Sequence, residues 1–194
     1  MAAKTKRSQK QASVKRKVAK CTSRKPSGID TIAPLKSDHC EVEKLFDQFE
    51  KARAADKRRT IVQKVCDALT VHVKMEEEIF YPQTRNALKR SGENLLDEAQ
   101  VEHQGIKRLV AELKDADPST MQRSPVLKEY VKHHVKEEEG DLFAKVRKRD
   151  LDTEKVGPEL AARKEALSDE PVKAPRLFFN EVCSPLQDNG PAGS

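Results

Sequence analysis

"HVKMEEEIFYP" runs from His72 to Pro82, and "HVKEEEGDLFA" runs from His134 to Ala144. Both stretches put a histidine four residues ahead of a glutamate that sits inside an acidic run. Two readings compete. Either two surface helices share an acidic face, or two inward-facing sites hold the same chemistry. The residues around each stretch decide between them.

His72 belongs to a seam, Val62, Val65, Leu69, His72, Glu76, Ile79, whose steps of three and four mark one face of an amphipathic helix. His134 belongs to a second seam, Leu127, Val131, His134, Glu138, Leu142. Two further seams read Ile32, Leu35, His39, Val42, Phe46, Phe49 and Leu96, Ala99, His103, Ile106, Val110, Leu113. The breaks between them, at Arg53 to Asp56, Arg90 to Asn94 and Asp115 to Thr120, contain the stop signals Gly92 and Pro118. No window alternates as a strand does. Four seams with short connections predict an all-α fold, an antiparallel up-down four-helix bundle over residues 30–150. A short extra helix is expected at 151–168, begun by Pro158 in its first turn. Residues 169–194 read as a loose tail in which Arg176 to Phe179 is the segment able to dock.

Four of the five histidines occupy positions that ought to be apolar. His39, His72, His103 and His134 are separated by 33, 31 and 31 residues. Near-equal spacing in an up-down bundle puts each near mid-helix, so all four share one level of the core. Unpaired imidazoles in a dry core would each cost on the order of 1–3 kcal/mol. A shared metal site removes that cost by using their lone pairs. Residues i and i+4 of a helix lie on one face, roughly 6 Å apart, so His72 with Glu76 and His134 with Glu138 each present an imidazole and a carboxylate to this layer. Carboxylates can bridge two cations, and two Glu with four His suit a pair of metals. Glu77, Glu78, Glu137 and Glu139 fall off the seam, and most of them read as solvated. Cys40 and His133 are rotated away from the layer and stay outside the site.

Other metal scripts fail. No histidine has a Glu three residues before it, no HExxH occurs, and no cysteines are paired at finger spacing. Instead "DHCEVEKLFDQFE" from Asp38, "HVKMEEEIFYP" from His72, "EHQGIKRLV" from Glu102 and "HHVKEEEGDLF" from His133 together resemble the hemerythrin-like, or HHE cation-binding, domain. The resemblance covers roughly residues 31–150. It implies a four-helix bundle around two non-haem irons per chain, with His39, His72, His103 and His134 as ligands and Glu76 and Glu138 as bridges. Mn or Zn would also suit these donors. It further implies a small diatomic ligand, oxygen or nitric oxide, or the sensing of iron or redox state. Oxygen-carrying members have another histidine one turn after the third-helix ligand, where this chain has Lys107. Their fourth-helix carboxylate is an Asp five residues after its histidine, whereas Glu138 follows at four. An ammonium aimed at the metals would be repelled, so Lys107 is expected to turn toward solvent or an acidic neighbour. The chain therefore reads as a binding or sensing protein rather than an enzyme, with a di-iron oxidase or reductase as the alternative.

Charge tells a separate story. The net +6 is carried by residues 1–29, which hold ten Lys or Arg and no acid. Without them the 38 basic residues fall to 28 against all 32 acidic ones, a net of −4. Such a segment cannot bury enough apolar surface to order itself, and it suits non-specific contact with nucleic-acid phosphates. It carries no aromatic residue for base stacking. Cys21, Cys40, Cys66 and Cys183 show no paired spacing, which points to free thiols and the cytoplasm. No apolar stretch approaches the roughly 20 residues that span a bilayer. A monomer without a membrane partner is expected.

Overall fold

The computed structural model describes residues 31–114, 119–149, 151 and 153–169. The basic segment, Pro118 and the tail with Arg176 to Phe179 lie outside them. Among the described residues every regular element is helical. The long helices are α1 (Ile32–Lys51), α2 (Ala55–Met75), α4 (Glu93–Leu113) and α5 (Ser124–Glu137). The shorter α3 (Tyr81–Leu88) continues α2, and α6 (Phe143–Val146) continues α5. A last helix, α7 (Thr153–Asp169), packs against α2 and α1. The result is a helical bundle.

Two apolar clusters fill it. One contains Leu35, Met75, Leu96, Ala99 and Leu142; the other contains Val42, Leu69, Val73, Ile106 and Val131. Each long helix, taken with the turn and short helix that continue α2 and α5, passes through both. Along α1 and α4 the chain meets the first cluster and then the second, and along α2 and α5 it meets them in the opposite order. His39, His72, His103 and His134 fall at the crossing point on each helix, all 6% exposed or less. They form a polar layer sandwiched between two hydrophobic ones.

The α2–α3 and α5–α6 junctions are single wide turns, Glu76–Phe80 and Glu138–Leu142, with π-helical bonding. The amide of Tyr81 donates to the Glu76 carbonyl and that of Phe143 to the Glu138 carbonyl, five residues back rather than four. Local causes are visible. Pro82 has no N–H to give to the Glu78 carbonyl, and Gly140 weakens the second helix from within. The extra residue turns Phe80, Tyr81 and Phe143 into the core, each 1% exposed or less. Ile79, expected to continue the seam, is only half-buried.

Two expectations need correcting. The C-terminal helix begins at Thr153, with Pro158 in its interior. Val156 packs in the same cluster as Leu160 and Leu167, and burying it requires helix ahead of the proline. Second, Cys40 is disulfide-bonded, so the free-thiol argument for a reducing compartment fails at that residue. Cys66 is a buried free thiol whose pKa burial pushes up to about 12. Among the described residues no helix is long and apolar enough to cross a membrane.

Candidate metal centre

The polar layer brings all six expected site residues together in two groups. His39, His72, Glu76 and Glu138 form one, and Glu76, His103 and His134 form the other, with donor atoms within 4.8 Å of one another in each. Glu76 belongs to both. Its Oε1 lies 3.2 Å from His72 Nε2, and its Oε2 lies 3.2 Å from His103 Nε2. Glu138 leans to the first group, 3.3 Å from His39 Nε2 and 3.9 Å from His134 Nε2. Both carboxylates were expected to bridge, and Glu76 is the member common to the two groups.

These donors fit cations. His39 and His72 approach Nε2 to Nε2 at 3.0 Å, and His103 and His134 at 3.2 Å. A hydrogen bond there needs one ring nitrogen to donate to the other, so each pair can share a single proton. Glu76 Oε1 and both oxygens of Glu138 are buried without a directed hydrogen bond. Buried carboxylate oxygens in that condition are costly unless a cation takes their lone pairs. The electrostatics agree. Burial raises the Glu138 carboxyl and the Glu76 charge raises it further, whereas Glu76, against its own burial, is held well below the usual range by His72 and by the adjacent His103 and His134 imidazoles.

Behind each imidazole stands a second carboxylate on Nδ1. His39 meets Glu139 at 2.9 Å, His103 meets Glu77 at 3.2 Å, His134 meets Glu102 at 2.9 Å, and His72 faces Asp38 at 3.6 Å. Such partners fix ring orientation and leave Nε2 as the ligating atom. Glu77 and Glu139, in runs expected to be mostly solvated, are partly buried partners of site histidines. Glu102 and Asp38 each precede a site histidine in sequence but serve the histidine of the next helix. Only contact between helices reveals that assignment.

The site has internal two-fold character. Tyr81 stacks on His103 with ring centres 5.3 Å apart, and Phe143 stacks on His39 at 6.1 Å. Both aromatics follow their glutamate by five residues through a wide turn. The halves differ by one hydroxyl: Tyr81 Oη is 3.2 Å from His103 Nε2 and 3.5 Å from Glu76 Oε2. Burial and the charges of Glu76 and Glu138 keep that phenol well above its ordinary pKa, so it stays protonated. Lys107 points away from the layer, its Nζ 2.9 Å from Glu77 Oε1. The ammonium thus steadies the carboxylate that orients His103.

A helical domain with buried histidine and glutamate groups able to hold cations defines a class, and comparison places the chain within it. The chain belongs to the family of the hemerythrin HHE cation binding domain, whose model matches residues 30–146. It is also 31% identical over 116 residues to a DNA nickase from Nostoc sp. (strain PCC 7120 / SAG 25.82 / UTEX 2576), across 58% of this chain and 32% of that protein. The chain therefore spans about a third of the length of that curated relative. No solved structure matches it.

Proposed function

We propose that the polar layer is a carboxylate-bridged di-iron centre, and that the protein binds or senses a small diatomic ligand, oxygen or nitric oxide, or the iron and redox state itself. The observation that carries this reading is Glu76, fully buried, with one oxygen directed to each histidine pair. His39, His72 and Glu138 would hold one iron and His103 and His134 the other, with Glu76 between them. Opposite orders of the two apolar clusters along successive helices support an antiparallel up-down arrangement of α1, α2, α4 and α5. Iron bound there supplies redox and small-ligand chemistry. The chain's own residues orient the imidazoles through Glu139, Asp38, Glu77 and Glu102, exclude water with the flanking apolar clusters, and offer one proton at Tyr81 Oη. Beside the histidines is a cleft lined by Val42, Leu69, Val73, Ile106 and Val131, which suits an apolar diatomic.

The second group has fewer protein ligands, and Lys107 does not supply one. Oxygen is therefore expected to oxidise the reduced centre rather than bind reversibly, which favours sensing over storage. Metal content per chain and the optical spectrum before and after air exposure test this directly. Two irons and an air-induced spectral change that degassing does not undo are expected. Full, repeated recovery of the reduced spectrum would make the protein a carrier.

A second reading draws on the ten basic residues of 1–29 and on the likeness to a DNA nickase. It has the basic segment bind nucleic acid independently of the metal. If about six charges meet phosphates, affinity should fall with salt at a log–log slope of roughly −5 on duplex DNA. Deleting residues 2–29 should abolish binding and leave the metal spectrum unchanged. Nicked plasmid in the presence of the loaded full chain would extend this reading to turnover. Absence of DNA binding at low salt would end it.

A further inference from the structure

Among the described residues outside the buried layer, one more trio of side chains has ligand spacing: Glu102 from α4 with His133 and Glu137 from α5. His133 Nε2 is 3.3 Å from Glu102 Oε1 and 3.3 Å from Glu137 Oε1. His133 and Glu137 are four residues apart, the same relation as His72 to Glu76 and His134 to Glu138. On its own this could be an exposed ion-pair cluster of small energetic worth. Three observations carry it further.

Glu102 is shared between surface and core. Its Oε1 faces His133, while its Oε2 is 2.9 Å from His134 Nδ1. A small cleft beside two of the trio, Glu102 and Glu137, is also lined by Glu98, His134, Glu138 and the apolar Leu95, Ala99 and Leu142. At its inner end stands Glu138, 3% exposed, with neither oxygen in a directed hydrogen bond. The cleft thus runs from exposed carboxylates to an unpartnered buried one.

Behind three of the four histidines stands a fixed positive charge. Lys36 pairs with Glu139 behind His39, Lys164 with Asp38 behind His72, and Lys107 with Glu77 behind His103. An ammonium at each of these positions repels an incoming cation. Behind His134 the outermost residue is His133, an imidazole that can itself ligate a metal.

We propose that Glu102, His133 and Glu137 capture a divalent cation at the surface and that the cleft delivers it to Glu138 and His134. This rests on the reading of the buried layer as a metal centre. Three donors at a solvent-facing site hold a cation briefly and release it readily. The carboxylates of Glu98, Glu102 and Glu137 keep a moving cation within reach of an oxygen, and a cleft lined by one sign of charge concentrates the opposite ion.

The test uses the full chain stripped of metal, mixed anaerobically with limiting ferrous iron and followed by stopped-flow absorbance, with final metal content measured after desalting. His133→Ala, Glu137→Gln and Glu98→Gln are compared with the unaltered protein. Glu102 is left intact because it also orients His134. The His133→Ala/Glu137→Gln variant should load about tenfold more slowly, the low end of what charge focusing supplies, and still reach the same final content. Glu98→Gln should show a smaller slowing. Equal rates and equal content in all variants would overturn the route and leave the centre standing. Reduced final content at an unchanged initial rate would also overturn it, because these residues would then shape the centre rather than feed it. Failure of the unaltered chain to take up metal would remove the centre itself, and the route with it.

Discussion

The His72→Ala/His134→Ala double variant is expected to lose nearly all bound metal on desalting, while the unaltered chain keeps two ions. Each substitution removes one imidazole from a different group, leaving His39, Glu76 and Glu138 in one and Glu76 and His103 in the other. Four-ligand protein sites bind with on the order of 10–16 kcal/mol, so one ligand is worth roughly 3 kcal/mol, or about 100-fold in affinity per group. Because metal binds the folded state, that loss also appears as stability. A 100-fold weaker site gives up about 2.7 kcal/mol of linked stabilisation under saturating conditions. Melting with and without chelator separates the two effects: chelator should lower the melting temperature of the unaltered chain by several degrees and leave the double variant unmoved. Full metal occupancy in the double variant would end the assignment of these residues as ligands.

The same residues show how far a sequence can be read. The seams placed His39, His72, His103 and His134 in the core because a helix of 3.6 residues per turn returns to one face at i+3 and i+4. The i+4 glutamates followed, because helical geometry holds up to Glu76 and Glu138, whose amides still donate to His72 and His134. One residue later the period changes. A wide turn moves burial from Ile79 to Phe80 and Tyr81, so the hydroxyl beside His103 is invisible to a regular seam. Pro82 and Gly140 were the available signals, since each disturbs a helix within a turn or two of a site glutamate. The carboxylates behind the histidines were hidden for another reason. Glu77 and Glu139 sit in acidic runs that resemble solvated faces, and their partners lie 26 and 100 residues away. Tertiary pairing of that kind leaves no local period. The charge of the basic segment was plain from composition, but composition does not say what it touches.

Loading the metal-free chain at pH 7 is expected to release about two protons per chain, with affinity rising steeply as pH increases. Burial lowers the His72 imidazole, yet the Glu76 charge and the nearby Asp38 carboxylate outweigh it and bring its pKa to about 10. Burial likewise lowers His134, and bonds to Glu102 and Glu76 with the charge of Glu138 carry it to about 10. Both shifts favour cationic rings at neutral pH when no metal is present. Coordination takes the Nε2 lone pair, so the protons on those nitrogens must leave. Deprotonating a group with a pKa about 3 units above the solution pH costs roughly 4 kcal/mol. Each released proton makes affinity rise about tenfold per pH unit below that pKa, so two should give about a hundredfold between pH 7 and pH 8. His39 is also raised against its burial by Glu138 and Glu139, but its Nε2 shares a single proton with His72 Nε2 and adds none to the count. Calorimetric titration with Mn(II) in two buffers of different ionisation enthalpy measures the protons directly. Asp38→Asn and Glu102→Gln should reduce the number released, because each removes a carboxylate that holds a ring charged, and should also weaken binding by loosening the ring. A proton count near zero, with affinity flat from pH 6.5 to 9, would mean that the imidazoles are neutral before metal arrives or that they do not bind it.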